Sequence, residues 1–298
     1  MLRMHRALLT ALLLPAACFT ADLDPTLGGV FTCEVADDCP SDMACVNQRC
    51  ESEDPPTLAI GFPEDEQSLD ITEAEVGAMR ELSLTVSGTL KLVPPGDAVF
   101  GEGRVEVIVD DRVAGTIESG SLSGVVQFPT TVENTLGAHR IAVRAIRSDG
   151  VPYDNEGAVA TRLFFIDDGG TPLLGIKQPW PGAEFPLEKA SAEVEVAVRH
   201  FSLAPAVPDG GTQSVTGHVH IYYNEDIQAC LANPGCDNAY LATIVENGQI
   251  PEVPLPDSPA GMFQLNVVLR NIDHSLYLFP EDGTGAPIID RVAVSRTP

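Results

Sequence analysis

From Pro55 onward the chain alternates apolar and polar residues in short runs, and Gly, Pro, Asp and Asn break these runs before any reaches helical length. GRVEVIVDD (residues 103–111) and GHVHIYYNE (217–225) are representative, with every second residue apolar. In a strand, residues two apart share a face, so this period predicts short strands with one face turned to a core. No stretch carries a convincing helical period. The pattern therefore predicts an all-β chain of sandwich type, and 298 residues is the length of about two domains.

Pieces of the pattern occur twice. GRVEVIVDD lines up with GHVHIYYNE, and LGAHRIAVRAIRSDGVPY (136–153) with AGMFQLNVVLRNIDHSLY (260–277). The openings PTLAIGFP and PLLGIKQP correspond, as do ELSLTVSG and EVEVAVRH, and each copy has a plausible last strand, ATRLFFID or IIDRVAVS. These matches predict two immunoglobulin-like β-sandwich domains in tandem, residues 55–168 and 171–298, with the boundary in DDGGT. One copy then serves as a control for the other. Four of the six histidines fall in the second copy, and the first has Gly88 for His200, Arg104 for His218, Glu106 for His220 and Gly150 for His274. The fold itself does not need imidazoles at these positions.

In GHVHIYY the apolar set is Val219, Ile221 and Tyr223, so His218 and His220 face away from the core. In an immunoglobulin-like sandwich the third and sixth strands pair antiparallel, and the second ends where the third begins. That places the end of the second (His200), the start of the third (His218, His220) and the end of the sixth (Asp273, His274) at one pole. The candidate metal ligands are His218, His220 and His274, with His200 joining them and Asp273 orienting an imidazole. Imidazole suits copper, zinc, iron or nickel at about 2 Å. The competing reading is a polar strand face, and His139 in GAHRIAV shows that a histidine also occurs here without a cluster. The segment EDIQACLANPGCDNAY (225–240) is an insertion expected to overhang the pole opposite the histidines or to cover a sheet edge. The lone Trp180 is expected at the domain junction.

Charge and cysteines narrow the setting. With 43 acidic and 17 basic residues the formal charge is -26, which leaves no basic patch for a phosphate backbone and sets nucleic-acid functions aside. The N-terminus, MLRMHRALLTALLLPAAC, has basic residues, a short apolar run and small residues before Cys18, the form of an export signal. Seven cysteines is an odd number, and removing Cys18 leaves Cys33, Cys39, Cys45 and Cys50 in one group and Cys230 with Cys236 in another. An oxidising compartment makes disulfides the default, with Cys230 bonded to Cys236 and three pairings open in the first group. Four-cysteine zinc binding prefers closer pairs than C-x5-C-x5-C-x4-C provides. Residues 33–50 are too few for a core and read as a stapled module after a tether at 18–32.

Several resemblances add expectations. Ala16, Ala17 and Cys18 resemble the lipobox of bacterial lipoprotein signals, which implies cleavage after residue 17, lipidation of Cys18 and anchoring to a membrane through lipid. Phe19 stands where aspartate would signal inner-membrane retention, so the resemblance implies the outer membrane, on its periplasmic or cell-surface face. CEVADDCPSDMACVNQRC resembles the short cysteine-rich motifs of surface lipoproteins of myxobacteria and their relatives. GHVHIYYN with the later IDHSLY is similar to exported bacterial domains of unknown function that carry a GHxH strand. GHVH in a sandwich also looks like the copper strand of copper-zinc superoxide dismutases, but no histidine lies between His220 and His274 to supply the zinc loop.

The expected function is a non-catalytic, lipid-anchored extracytoplasmic binding or structural surface protein, with a protein or surface polymer as its partner. The alternative is a periplasmic copper- or zinc-binding lipoprotein using the second domain's histidines. A copper-dependent redox enzyme is a lesser alternative.

Overall fold

The computed structural model describes residues 33, 38–39, 43–46, 49–52, 55–72, 75–96, 101–153, 155–207, 215–223, 226–256, 260–280 and 285–297. The export signal, Cys18 and the tether lie outside the described residues.

Two β-sandwiches follow one another. In the first, one sheet runs Gln67–Asp70, Val159–Asp167, Gly137–Arg147, Glu102–Val109, Lys91–Leu92, with Arg112–Ile117 also paired to Glu102–Val109, and the other runs Leu58–Phe62, Met79–Gly88, Val126–Glu133. The second repeats the larger sheet as Glu184–Pro186, Ile289–Thr297, Gly261–Asn271, Thr216–Tyr223, Ser202–Leu203, with Ala242–Ile244 also paired to Thr216–Tyr223 and with Leu173–Gln178 and Glu195–Arg199 paired opposite. This is the immunoglobulin-like arrangement, in which two sheets enclose the apolar face of each strand. Leu84, Val86, Val105, Val107, Ile141 and Phe164 fill the first core, and Ile176, Val219, Ile221, Leu265, Val267 and Tyr277 the second.

The two copies also share a backbone detail. A Cβ added at Gly103 would stand 2.0 Å from the carbonyl oxygen of Ile146, and one at Gly217 would stand 1.8 Å from that of Arg270. The two central strands therefore meet so closely that only glycine can precede Arg104 or His218.

The junction is short and tightly held. Asp168 accepts hydrogen bonds from the backbone N–H of Gly170 (3.0 Å) and Thr171 (2.8 Å), which caps the connecting turn. Leu163 and Phe165 of the first sandwich pack with Leu173 and Ala197 of the second. Arg140 reaches across to the Asp290 carboxylate and to the carbonyl of Ile176, 3.0 Å away. Lys177 answers with Glu66 at 2.7 Å and Asp65 at 3.3 Å. Trp180 lines the cleft of about 540 Å³ beside these groups.

In the cysteine-rich module, Met43–Val46 and Arg49–Ser52 form a hairpin, and Cys39 is bonded to Cys50. Cys33 is buried and also disulfide-bonded. Sulfurs held in disulfides are not thiolates and offer no metal site here.

Candidate metal centre

The strand carrying the histidines is unlike its counterpart. Glu102–Val109 alternates half-buried and buried residues, whereas Thr216–Tyr223 is buried from Gly217 to Tyr222 on both faces. The cause is the insertion that follows it. Asp226 caps the short helix Ile227–Leu231, accepting from the Ala229 N–H at 3.0 Å, and a second helical turn is Pro234–Asp237. The Cys230–Cys236 disulfide ties the two together. Ile227 and Cys230 then pack on Tyr222 and Val268, which lie on the outer face of the sheet. The insertion thus lies over the histidine-bearing face, not over the opposite pole that its position in the chain suggested. Burying Tyr222 and Val268 draws it back along the sheet.

Beneath it, three imidazoles converge. His218 Nε2 lies 3.0 Å from His220 Nε2 and 3.2 Å from His274 Nδ1, and the last two are also 3.2 Å apart. Register explains the approach: His218 pairs with Arg270 and His220 with Val268, and the turn after Asn271 brings His274 back over the strand end. That turn places His274 at φ +68°, where the first sandwich has Gly150 at +93°. A left-handed backbone costs a non-glycine residue about 1 kcal/mol or more, so this imidazole is held where glycine is the easier residue, a pattern found at functional sites.

The three nitrogens cannot satisfy one another. Each has a single in-plane position holding either a proton or a lone pair, so at least one of the three contacts must pair like with like. A cation accepting all three lone pairs removes the conflict. The spacing suits one: metal–nitrogen bonds of 2.0–2.1 Å put nitrogens about 3.3–3.4 Å apart in a tetrahedral site and about 2.9 Å apart on an octahedral face. The observed triangle lies between these values. Burial, aided by the neighbouring imidazoles and Arg270, pushes the pKa of His218 down to about 4 and that of His220 to about 2. Both are neutral at pH 7, as ligands must be. His218 and His220 are almost wholly buried and His274 is exposed, so the triangle opens toward solvent on one side.

Around the triangle lies a second set of polar groups. His220 Nδ1 meets the Tyr222 hydroxyl at 3.2 Å, and that hydroxyl donates to the Asp237 carbonyl at 3.0 Å. Arg270, buried on the same face, donates to the hydroxyl at 2.7 Å and forms an ion pair with the Asp237 carboxylate. The Tyr240 ring covers His220, with centroids 3.8 Å apart.

Two expected residues are elsewhere. His200 does not join the triangle; its Nε2 lies 2.8 Å from the Asp167 carboxylate at the domain junction. It follows Glu195–Arg199, and the pairing Leu173↔Arg199 puts it in the opposite sheet, beside the linker. Asp273 does not orient an imidazole through a hydrogen bond. Its carboxylate accepts from the N–H (2.9 Å) and hydroxyl (2.5 Å) of Ser275 and closes its own turn. Tyr222, Arg270, Asp237 and Tyr240 do not stand out in the periodicity. The repeat carries a signal for two of them, since Ile108 and Ile146 occupy the places of Tyr222 and Arg270 in the first copy.

No family model matches the chain, and no curated protein matches it. Among solved structures it is similar to the fibronectin(III)-like modules of Clostridium thermocellum CbhA, at 13% identity and a TM-score of 0.24 over 81% of this chain and 94% of that one. The central fibronectin-III array of RIM-binding protein matches at 12% identity and a TM-score of 0.20, over 81% and 70% of the two chains. Human mucin-like protocadherin EC1-2 matches at 11% and 0.20, over 80% and 97%.

Proposed function

We propose that the protein is an exported, lipid-anchored surface protein whose second sandwich binds one transition metal ion, copper or zinc, through His218, His220 and His274. The observation that carries the reading is the triangle of three imidazole nitrogens, 3.0–3.2 Å apart, two of them on buried rings, whose hydrogen bonds to one another leave a conflict. All three donors are imidazole nitrogens, which suits borderline and softer ions and excludes a hard-ion site of the calcium type. The lipobox at residues 16–18 supports anchoring through Cys18, with the cysteine-rich module as a spacer and the clamped first sandwich as a platform. The reading is one of binding and display at the outer membrane; no turnover is assigned.

The test is elemental analysis of the chain from Phe19 onward, purified untagged and equilibrated with zinc or copper at neutral pH. One ion per chain, lost in His220→Ala, is expected. Substoichiometric metal, or full occupancy in His220→Ala, would overturn the reading.

A further inference from the structure

We propose that Tyr222 is a positioning residue for the metal site: held by Arg270 and Asp237, it keeps the proton of His220 on Nδ1 and so presents Nε2 as a lone pair to the ion. The proposal rests on the metal-binding reading of the same three histidines.

The assignment follows from counting protons. A tyrosine hydroxyl has one proton to donate and lone pairs with which to accept. Its contact with the Asp237 carbonyl, at 3.0 Å, must use the proton, because a carbonyl only accepts. Its contact with Arg270 Nη2, at 2.7 Å, must use a lone pair, because guanidinium only donates. The remaining contact, His220 Nδ1 at 3.2 Å, therefore meets a lone pair and requires an N–H on the imidazole. Neutral histidine carries one ring proton, so Nε2, the atom in the triangle, is left with its lone pair free.

The hydroxyl has little freedom to turn. Arg270 is 1% exposed, and its guanidinium is fixed by the Asp237 carboxylate, with a second contact between Nη1 and the other oxygen at 3.4 Å. Asp237 follows Cys236 of the disulfide directly, and its own N–H is bonded to the Asn233 carbonyl at 2.8 Å. The insertion therefore holds the Tyr222 partners in place as well as covering the site.

The first sandwich supplies the control. Where the second has Tyr222 and Arg270, the first has Ile108 and Ile146, and its hairpin from Val109 to Arg112 has no insertion. Its Glu106, at the position of His220, pairs with Arg144. Apolar side chains are thus sufficient for the sandwich, and the Tyr–Arg–Asp group, with Tyr222 and Arg270 buried, occurs in the copy that carries the histidine triangle. A buried cation needs such a reason, because its desolvation is offset only by well-made partners.

The experiment has two readouts on the chain from Phe19 onward. Long-range 1H–15N spectra of the metal-free protein at pH 7, with His220 assigned by its loss in His220→Gln, report which ring nitrogen is protonated. Chelator competition reports zinc affinity. The wild-type chain should show His220 protonated on Nδ1. Tyr222→Phe should move His220 toward the Nε2–H form and weaken zinc binding ten- to a hundredfold, while Tyr223→Phe, on the core side of the same strand, should change neither. If Tyr222→Phe fails to fold, Asp237→Asn should weaken zinc binding in the same direction. Wild-type His220 protonated on Nε2 with zinc still bound, or wild-type affinity in Tyr222→Phe, would overturn the positioning role alone. Nδ1 protonation with no zinc bound by the wild-type chain would overturn the metal reading and this role together.

Discussion

The rings of His220 and Tyr240 lie tilted by 31° with centroids 3.8 Å apart, joining a histidine of the triangle to the last part of the disulfide-closed insertion. Tyr240 also lies nearly parallel to His274, with centroids 6.3 Å apart, so it flanks two of the three imidazoles. Removing it should change how fast an ion leaves more than which ion binds. Tyr240→Ala is expected to speed zinc release to a chelator by roughly three- to tenfold, with one ion per chain retained, as followed by stopped-flow transfer; an unchanged release rate would show that the ring shields nothing.

The disulfide is expected to act on the metal through Asp237. The double variant Cys230→Ser, Cys236→Ser frees the segment that supplies Asp237, which accepts from Tyr222 and fixes Arg270, so zinc affinity should fall by about tenfold or more. The second sandwich should also melt a few degrees lower, by the loss of the cross-link. Competition with a chelator and calorimetry on the same preparations measure the two effects, and an affinity equal to wild type would show that the insertion holds its place without the bond.

Acid should weaken the metal-free second sandwich, and alkali a specific contact of the first. His218 and His220 have folded pKa values below the unfolded value near 6.5, so the unfolded chain takes up protons that the native one refuses. Stability is then fully present above pH 6.5 and falls toward pH 4, by up to about 1.4 kcal/mol per pH unit per group. His139 has the opposite sign. Burial alone would lower its pKa, but the hydrogen bond and charge of Asp110, 2.7 Å away, raise it. Its contribution is present below the unfolded pKa and is lost as pH rises through the raised one. Urea titrations from pH 4 to 9 should show His218→Ala flattening the acid limb and His139→Gln flattening the alkaline one.

At the junction, His200 and Arg140 should matter for coupling and not for metal. His200→Ala removes a partner from the buried Asp167 carboxylate and should cost about 1–3 kcal/mol of stability, with one zinc still bound per chain. Arg140→Ala removes the contacts to Asp290 and to the Ile176 carbonyl. Calorimetry should then resolve two transitions where the wild type shows more nearly one, and small-angle scattering should show a wider spread of shapes. Loss of zinc binding in His200→Ala would return His200 to the site.

The all-β form, the tandem sandwiches and the outward direction of His218 and His220 were legible from the chain alone, because the two-residue period is a local property that each strand carries by itself. The repeat went further: it marked His200, His218, His220 and His274 as departures from an internal template, without separating the one that lies elsewhere. The Cys230–Cys236 bond was equally local, since a pair so close in sequence can close only on itself. Which histidines meet was decided by tertiary structure. His200 and His274 both end strands near the same pole, yet the pairing Leu173↔Arg199 sends one to Asp167, while His218↔Arg270 and the turn after Asn271 bring the other to the triangle. Burial was also decided there. The same strand pattern that leaves Glu106 half-buried beside Arg144 becomes a covered face at His220, because the insertion that follows the strand folds back over it. Period and composition determine which face a side chain takes. The three-dimensional packing of segments far apart in the chain determines what that face meets.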